Sequence, residues 1–238
     1  MDTAPARKFE GAIQVPVDTY INRDGRNIVL YGMMHIGDSR FYDQAFDDLA
    51  IYKAQGWEVH YEKIDKNGEE VPAIGLDMVK VAEAMGLVYQ MKAMPYPANW
   101  KRTDMTMREF LSHSEKEDVD ALAVRMKRIN GAVGFLSKSG LGRSVIRGFF
   151  RFGFGLMTNP EIISAVENLP EKENDPMRHS LVIDERNEIA LRHIDATDKD
   201  VVAVWGSGHL KGIGEGLVER GFVRIGREWN TVLSAKGK

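Results

Sequence analysis

The stretch VVAVWGSGHLKGIGEGLVERGFVRIG, residues 201–226, decides how the chain is read. Val201–Trp205 is an apolar run suited to a strand covered on both faces. A Gly-Ser-Gly-His turn follows, then a helix, Gly221, and a strand from Phe222 to Ile225. The same order occurs near the front of the chain. Ile28, Val29, Leu30 and Tyr31 form an apolar strand that ends on Gly32-Met33-Met34-His35. Next come Phe41, Ala45, Leu49 and Tyr52 at helical spacing, Gly56 placed to end that helix, and WEVHYE (57–62) as a strand. Each half reads strand, G-x-x-H, helix, glycine–aromatic, strand. Short connections of this kind predict a right-handed parallel crossover. The expected fold class is therefore α/β. Residues 28–34, 57–62, 201–205 and 222–226 should share one mainly parallel central sheet, built from two βαβ halves with helices on both faces.

The rest of the chain fits around these halves. AIQVPVDTYI, a turn at Asn22-Arg23-Asp24-Gly25, and NIVLYGMM predict a hairpin. Residues 76–195 read as mostly helical. Thr106 and Glu109 make a capping box before FLSH, and EDVDALAVRMKRI is an amphipathic helix. Pro160 opens EIISAVENL, PEKENDP is a charged loop, and MRHSLVIDERNEIALRHI is a long helix. One domain spanning 1–238 follows: an N-terminal half over 11–75, the helical middle, and a C-terminal half over 196–230.

Composition narrows the partners. A net charge of −3 gives no reason to expect nucleic acid. No cysteine is present, which excludes a disulfide framework and thiolate chemistry and suits a reducing, cytoplasmic setting. The first residues, MDTAPARKFEGAIQVPVD, contain no apolar core of a secretory signal, and no run is long enough to span a bilayer. The segment 131–157 departs from the average, being glycine-rich, aromatic and basic without an acid. Arg143, Arg147 and Arg151 recur on one helix face beside Phe149, Phe150 and Phe154. Two readings stand: a helical hairpin with arginines in solvent and phenylalanines in the core, or a peripheral contact with a membrane or partner chain.

If the halves share a sheet, His35 and His209 stand on one rim at strand carboxyl ends, where open α/β sheets place ligands. The glycines Gly32, Gly206 and Gly208 let the backbone turn sharply and approach a ligand. Glu62 ends its strand on the same rim. Two imidazoles and a carboxylate can hold a divalent ion such as zinc, manganese or cobalt. Alternation puts His60 on the side of Glu62, and Asp38 follows the first turn; both are candidates for the surrounding shell or for ordinary solvated roles. On the long helix Arg186 and Asn187 interrupt the apolar side. A buried arginine needs a carboxylate or an anionic ligand. It either pairs with a structural acid, Glu62 included, or steadies negative charge in a reaction.

These pieces together are similar to the TraB/GumN/Tiki family: GMMH and GSGH, the glutamate of VHYE, DERN (184–187), PYPANWKRTDMT (95–106) and the closing stretch. The resemblance spans residues 27–226. It implies a two-repeat α/β fold related to the erythromycin-esterase and haem-binding ChaN-like proteins. For Tiki-like members it also implies a divalent-metal-dependent peptidase. By position the ligands are His35, Glu62 and His209, with Glu62 and Arg186 in catalysis on a peptide or small-molecule substrate. The alternative is a haem- or peptide-binding regulator without turnover, for which Tyr31, Tyr61 and His60 are the axial candidates.

Overall fold

Residues 4–64, 76–112, 116–157 and 179–234 are described by the structure, a computed structural model. The chain begins with β1 (Arg7–Phe9), β2 (Ala12–Ile21), β3 (Asn27–Met33), β4 (Ile36–Gly37), α1 (Ser39–Ala54) and β5 (Glu58–Tyr61). The middle holds α2 (Met78–Met85), β6 (Val88–Tyr89), α3 (Gln90–Ala93), β7 (Lys101–Arg102), α4 (Met107–Ser112), α5 (Lys116–Leu136) and α6 (Gly140–Met157). α7 (His179–Asp195), β8 (Val201–Gly206), α8 (Leu210–Glu219) and β9 (Val223–Leu233) complete it.

The main sheet runs β9-β2-β3-β8-β5-β7, with β1 on the start of β2. β3 and β8 are parallel neighbours, from Ile28 opposite Val201 to Met33 opposite Gly206. β5 pairs parallel with β8, and β7 parallel with β5. β2 is antiparallel to β1, β3 and β9, so it alone runs against the rest. The four expected strands thus share one sheet and one direction. Alternation along β3 and β8 explains the layers. Val29, Tyr31, Met33, Val202 and Val204 pack on α1, while Ile28, Leu30, Val201, Ala203 and Trp205 pack on α7 and α8. Strands buried on both faces read as continuous apolar runs, which is why these two were legible.

The hairpin turn forms as expected. Asn22 Oδ1 accepts from Asp24 N at 3.0 Å and Arg26 N at 2.9 Å, and Gly25 takes φ 82°. Thr106 and Glu109 exchange the bonds of a capping box, Thr106 N to Glu109 Oε2 at 2.7 Å and Glu109 N to Thr106 Oγ1 at 3.2 Å.

Three expectations change. β9 continues to Leu233, well past residue 226, because Arg227 forks onto the buried Asp18 of β2 at 2.6 Å through Nε and Nη2, a polar pairing that hides the strand pattern. β1, β4, β6 and β7 were unforeseen, being too short to show a period of two. Residues 131–157 are helical, with no strand, and α6 rests on α2, Arg147 Nε donating to Ala84 O at 3.1 Å, while Gly142 lies against Leu136 of α5 and Ile146 is buried. Arg143 and Arg147 are exposed, yet Phe149 is 72% exposed rather than in the core, because it lies with Leu141 and Val145 on a row beside that contact. The side chains of Phe150, Arg151 and Phe154, the helix expected from Pro160, and the loop PEKENDP lie outside the described residues. Among the described residues no helix is long and apolar enough to cross a membrane.

Candidate functional site

Both G-x-x-H turns leave adjacent parallel strands at the same level, since Met33 is opposite Gly206. Glu62 follows β5 and stays tied to the sheet through its N–H to Val204 O, 3.0 Å. Thr103 N to Tyr61 O, 3.1 Å, brings the residues after β7 beside it, Asp104 among them. These strand ends form one rim, and α7 lays Arg186 across it.

Arg186 is the hub. Its Nε donates to Asp104 Oδ1 at 2.9 Å and its Nη2 to Asp104 Oδ2 at 2.8 Å, a bidentate fork. Nη2 also donates to Glu62 Oε1 at 2.5 Å, and Nη1 donates to His209 Nε2 at 3.2 Å. Because a guanidinium has only donors, Nε2 must accept, so the His209 proton sits on Nδ1. From there it is donated to Asn187 Oδ1 at 2.7 Å. The Trp205 ring supports both groups, with its centroid 5.6 Å from Arg186 Cζ and 5.1 Å from the His209 ring centroid. Four of the five guanidinium N–H bonds are thereby committed inside the protein. Of the two readings of Arg186, the structure displays the pairing with structural acids.

Glu62 uses its other oxygen, Oε2, to accept from Gly206 N at 2.5 Å. A Cβ on Gly206 would stand 3.0 Å from that oxygen, so this glycine permits the approach. Burial alone would raise the Glu62 carboxyl; the Arg186 guanidinium, followed by His209, the Gly206 N–H and His35, outweighs it and holds the group below its ordinary value. The glycines of α8 act at one remove. A Cβ on Gly212 would meet Asn187 Nδ2 at 2.3 Å, and one on Gly216 would meet Leu191 Cδ1 at 2.3 Å. They let α8 lie close to α7 and hold Asn187 against His209.

The other expected residues fall elsewhere. His35 is exposed, its carbonyl accepts from Gln90 N at 2.8 Å, and it reaches the cluster through its field on Glu62. Gly32 is a packing glycine: a Cβ there would lie 2.5 Å from Pro16 O on β2. Gly208 faces open space. Asp38 precedes α1 and accepts from Ser234 N at 2.9 Å, pinning the end of β9. His60 is buried at 1% exposure and bonds Glu58 Oε2 at 3.2 Å, two residues back along the strand. Burial drives its pKa down to about 4. Asp104, whose side chain is wholly buried, was not foreseen. The available signal was chemical: an arginine this buried requires carboxylate, and KRTDM (101–105) offered one.

The residues present do not fit the expected ion. Among the described residues no three His, Cys, Asp or Glu side chains are grouped to hold a metal. His209 Nε2 and Glu62 Oε1 lie 3.7 Å apart, but both face Arg186, so the guanidinium takes the place between them. Comparison of the chain with protein-family models, curated proteins and solved structures returned no match.

Proposed function

We propose that the chain is a TraB/GumN/Tiki-like protein of the cytoplasm whose carboxyl rim hydrolyses a peptide or related acyl bond. The observation that carries this reading is the meeting of the second G-x-x-H turn, Glu62 and Arg186 on one rim, with the first turn on the adjacent strand. His35 presents an exposed imidazole there, the side chain best suited to proton transfer near neutral pH. Glu62 is held ionised, its field reaches His35, and it supplies the fixed negative charge that favours an imidazolium. In the proposed reaction His35 takes a proton from water as the water oxygen adds to the acyl carbon. The same proton then passes to the leaving amine or alcohol as the bond breaks. Asp104, Arg186, His209 and Asn187 keep Glu62 in place. No step uses an ion.

Haem binding has less support. The Tyr31 phenol is buried, donating to Asp48 Oδ2 at 2.7 Å and accepting from Asn230 Nδ2 at 2.7 Å, and His60 is buried too. Tyr61 is covered by Tyr96 at 4.7 Å between ring centroids.

The test is incubation of the purified protein with a mixed peptide library, with EDTA and separately with Mn, Co or Zn, product masses being read by mass spectrometry. Cleavage that survives EDTA and is lost in His35→Ala and Glu62→Gln supports the reading. Cleavage that appears only with added metal replaces the proposed steps with ion chemistry, and no cleavage in any arm removes the hydrolase.

A further inference from the structure

Tyr96 stands in the sequence Pro95-Tyr96-Pro97 between α3 and β7, and its backbone takes φ 41°. Glu10 is the other non-glycine residue at positive φ among the described residues, and it lies in the tight turn between β1 and β2, where such angles are usual. Tyr96 has no hairpin to explain it. A bulky L residue adopts this region against steric resistance, and a residue before proline is pushed toward extended backbone instead. Surrounding contacts therefore hold it there.

Some of those contacts belong to the core on the α1 face, and others reach the rim. The Tyr96 ring stacks on Tyr61, the residue before Glu62, with centroids 4.7 Å apart, and meets Trp100 edge-on at 6.2 Å. Its hydroxyl oxygen accepts from Gln90 Nε2 at 2.8 Å. Gln90 is itself buried, and its backbone N–H is the group that holds the His35 carbonyl. One chain of contacts thus runs from the first G-x-x-H turn through Gln90 to the phenol. Gln90 donates to the oxygen, so the hydroxyl proton points to a different acceptor, and none is bonded to it among the described residues. Burial above all, with the negative charge of Glu62 adding to it, keeps the phenol protonated.

We propose that Tyr96 is the hydrogen-bond donor of the rim site, giving its hydroxyl proton to the carbonyl oxygen of an amide or ester substrate held beside Glu62 and His35. This rests on reading the rim as an acyl-bond site and adds the group that meets negative charge developing on that oxygen. No bond to Tyr96 forms or breaks. A neutral phenol fixed by a second hydrogen bond is well suited to the task, because it needs no reorientation as charge develops.

Tyr96→Phe keeps the ring, the stacking and the backbone while removing the donor. The probe is N-acetyl-alanyl-alanine amide, titrated into 15N-labelled protein by NMR. The variant should bind about tenfold more weakly than the parent, the size of one lost hydrogen bond in a desolvated site. In protein carrying ring-13C tyrosine, the resonance missing from Tyr96→Phe should shift when the peptide is added. Equal affinity in the two proteins, a stationary Tyr96 resonance, or no binding to the parent overturns the proposal. Tyr96-dependent binding without any turnover leaves it standing and removes the hydrolase alone. Turnover indifferent to Tyr96→Phe removes it and leaves the hydrolase.

Discussion

The two G-x-x-H turns share their letters and their place on adjacent strands, yet they do different work. After β3 the chain enters β4, which pairs with β6, and His35 is left exposed on the rim. After β8 a single 3-10 turn, residues 207–209, runs directly into α8, and His209 is buried between Asn187 and Arg186. The glycines diverge in the same way: Gly32 is needed for the packing of β3 on β2, Gly206 for contact with Glu62. The residues after the motif decide whether its histidine faces solvent or the interior. Ile36 pairs with Tyr89 and draws the first turn into a small sheet; Leu210 packs into the core with Trp205 and Ile213 and draws the second inward. One turn leaves its histidine exposed, and the other buries it against the arginine that holds Glu62.

The sharpest way to break this contrast is to remove what the second turn leans on. Arg186→Met would leave Glu62 and Asp104 buried without a counter-charge, at a cost of about 3–5 kcal/mol. Guanidinium unfolding at neutral pH measures it. A loss below about 1 kcal/mol, the worth of an exposed pair, would mean that Arg186 holds neither carboxylate, and the second turn would be no more locked than the first.

Acid gives the next largest effect, through a third histidine that has burial but no glycine turn. Among the described residues His60 Nδ1 has no hydrogen-bond partner, and burial lowers its pKa from 6.5 to about 4. Between those values the unfolded chain takes up a proton that the folded one refuses. The stability due to neutral His60 is complete above pH 6.5, falls through that window and is gone below about 4, a loss of about 3 kcal/mol at 1.36 kcal/mol per unit. Glu62 is also depressed, so its share is present above the ordinary carboxylate range and is lost as pH falls through its folded value. Urea unfolding from pH 7 to pH 4 should show the first loss in the parent and not in His60→Leu. An unchanged slope in the variant refutes the assignment.

What the sequence disclosed follows the same division between regular and irregular parts. The strands, their shared direction and the two turns were legible because double-sided burial forces long apolar runs, and glycine marks where the chain reverses. Arg186 and Asn187 stood out for a related reason, as polar letters on an apolar helix face. Asp104 and Tyr96 did not. Both lie in the irregular stretch between α3 and α4, where no period exists to be broken, and their roles come from long-range contacts with Arg186 and Tyr61. Arg186 and its pairing with Glu62 are legible in the sequence; its second carboxylate, Asp104, is not. Burial of the second histidine was equally hidden, because it depends on how closely α8 approaches α7.

That burial changes what each histidine should contribute. A strand-end side chain is expected to add little to a core, so both histidines ought to be removable without cost. His209 does not meet that description: it is 7% exposed, bonded at both ring nitrogens, and packed against Trp205. His209→Ala removes an acceptor from Arg186 and a donor from Asn187, and leaves a void beside the indole, at a cost of about 1–3 kcal/mol. His35→Ala removes an exposed ring and should change stability by less than about 0.5 kcal/mol. Activity should order the two differently. If the proposed hydrolysis holds, His35→Ala should abolish turnover by removing the proton acceptor, whereas His209→Ala should leave a reduced rate because Glu62 keeps Gly206 and one arginine contact. Thermal unfolding and peptide cleavage measured on the same two variants therefore test the contrast at its weakest point. Equal losses of stability would show that the turns are equivalent, and the division between a free histidine and a locked one would fall.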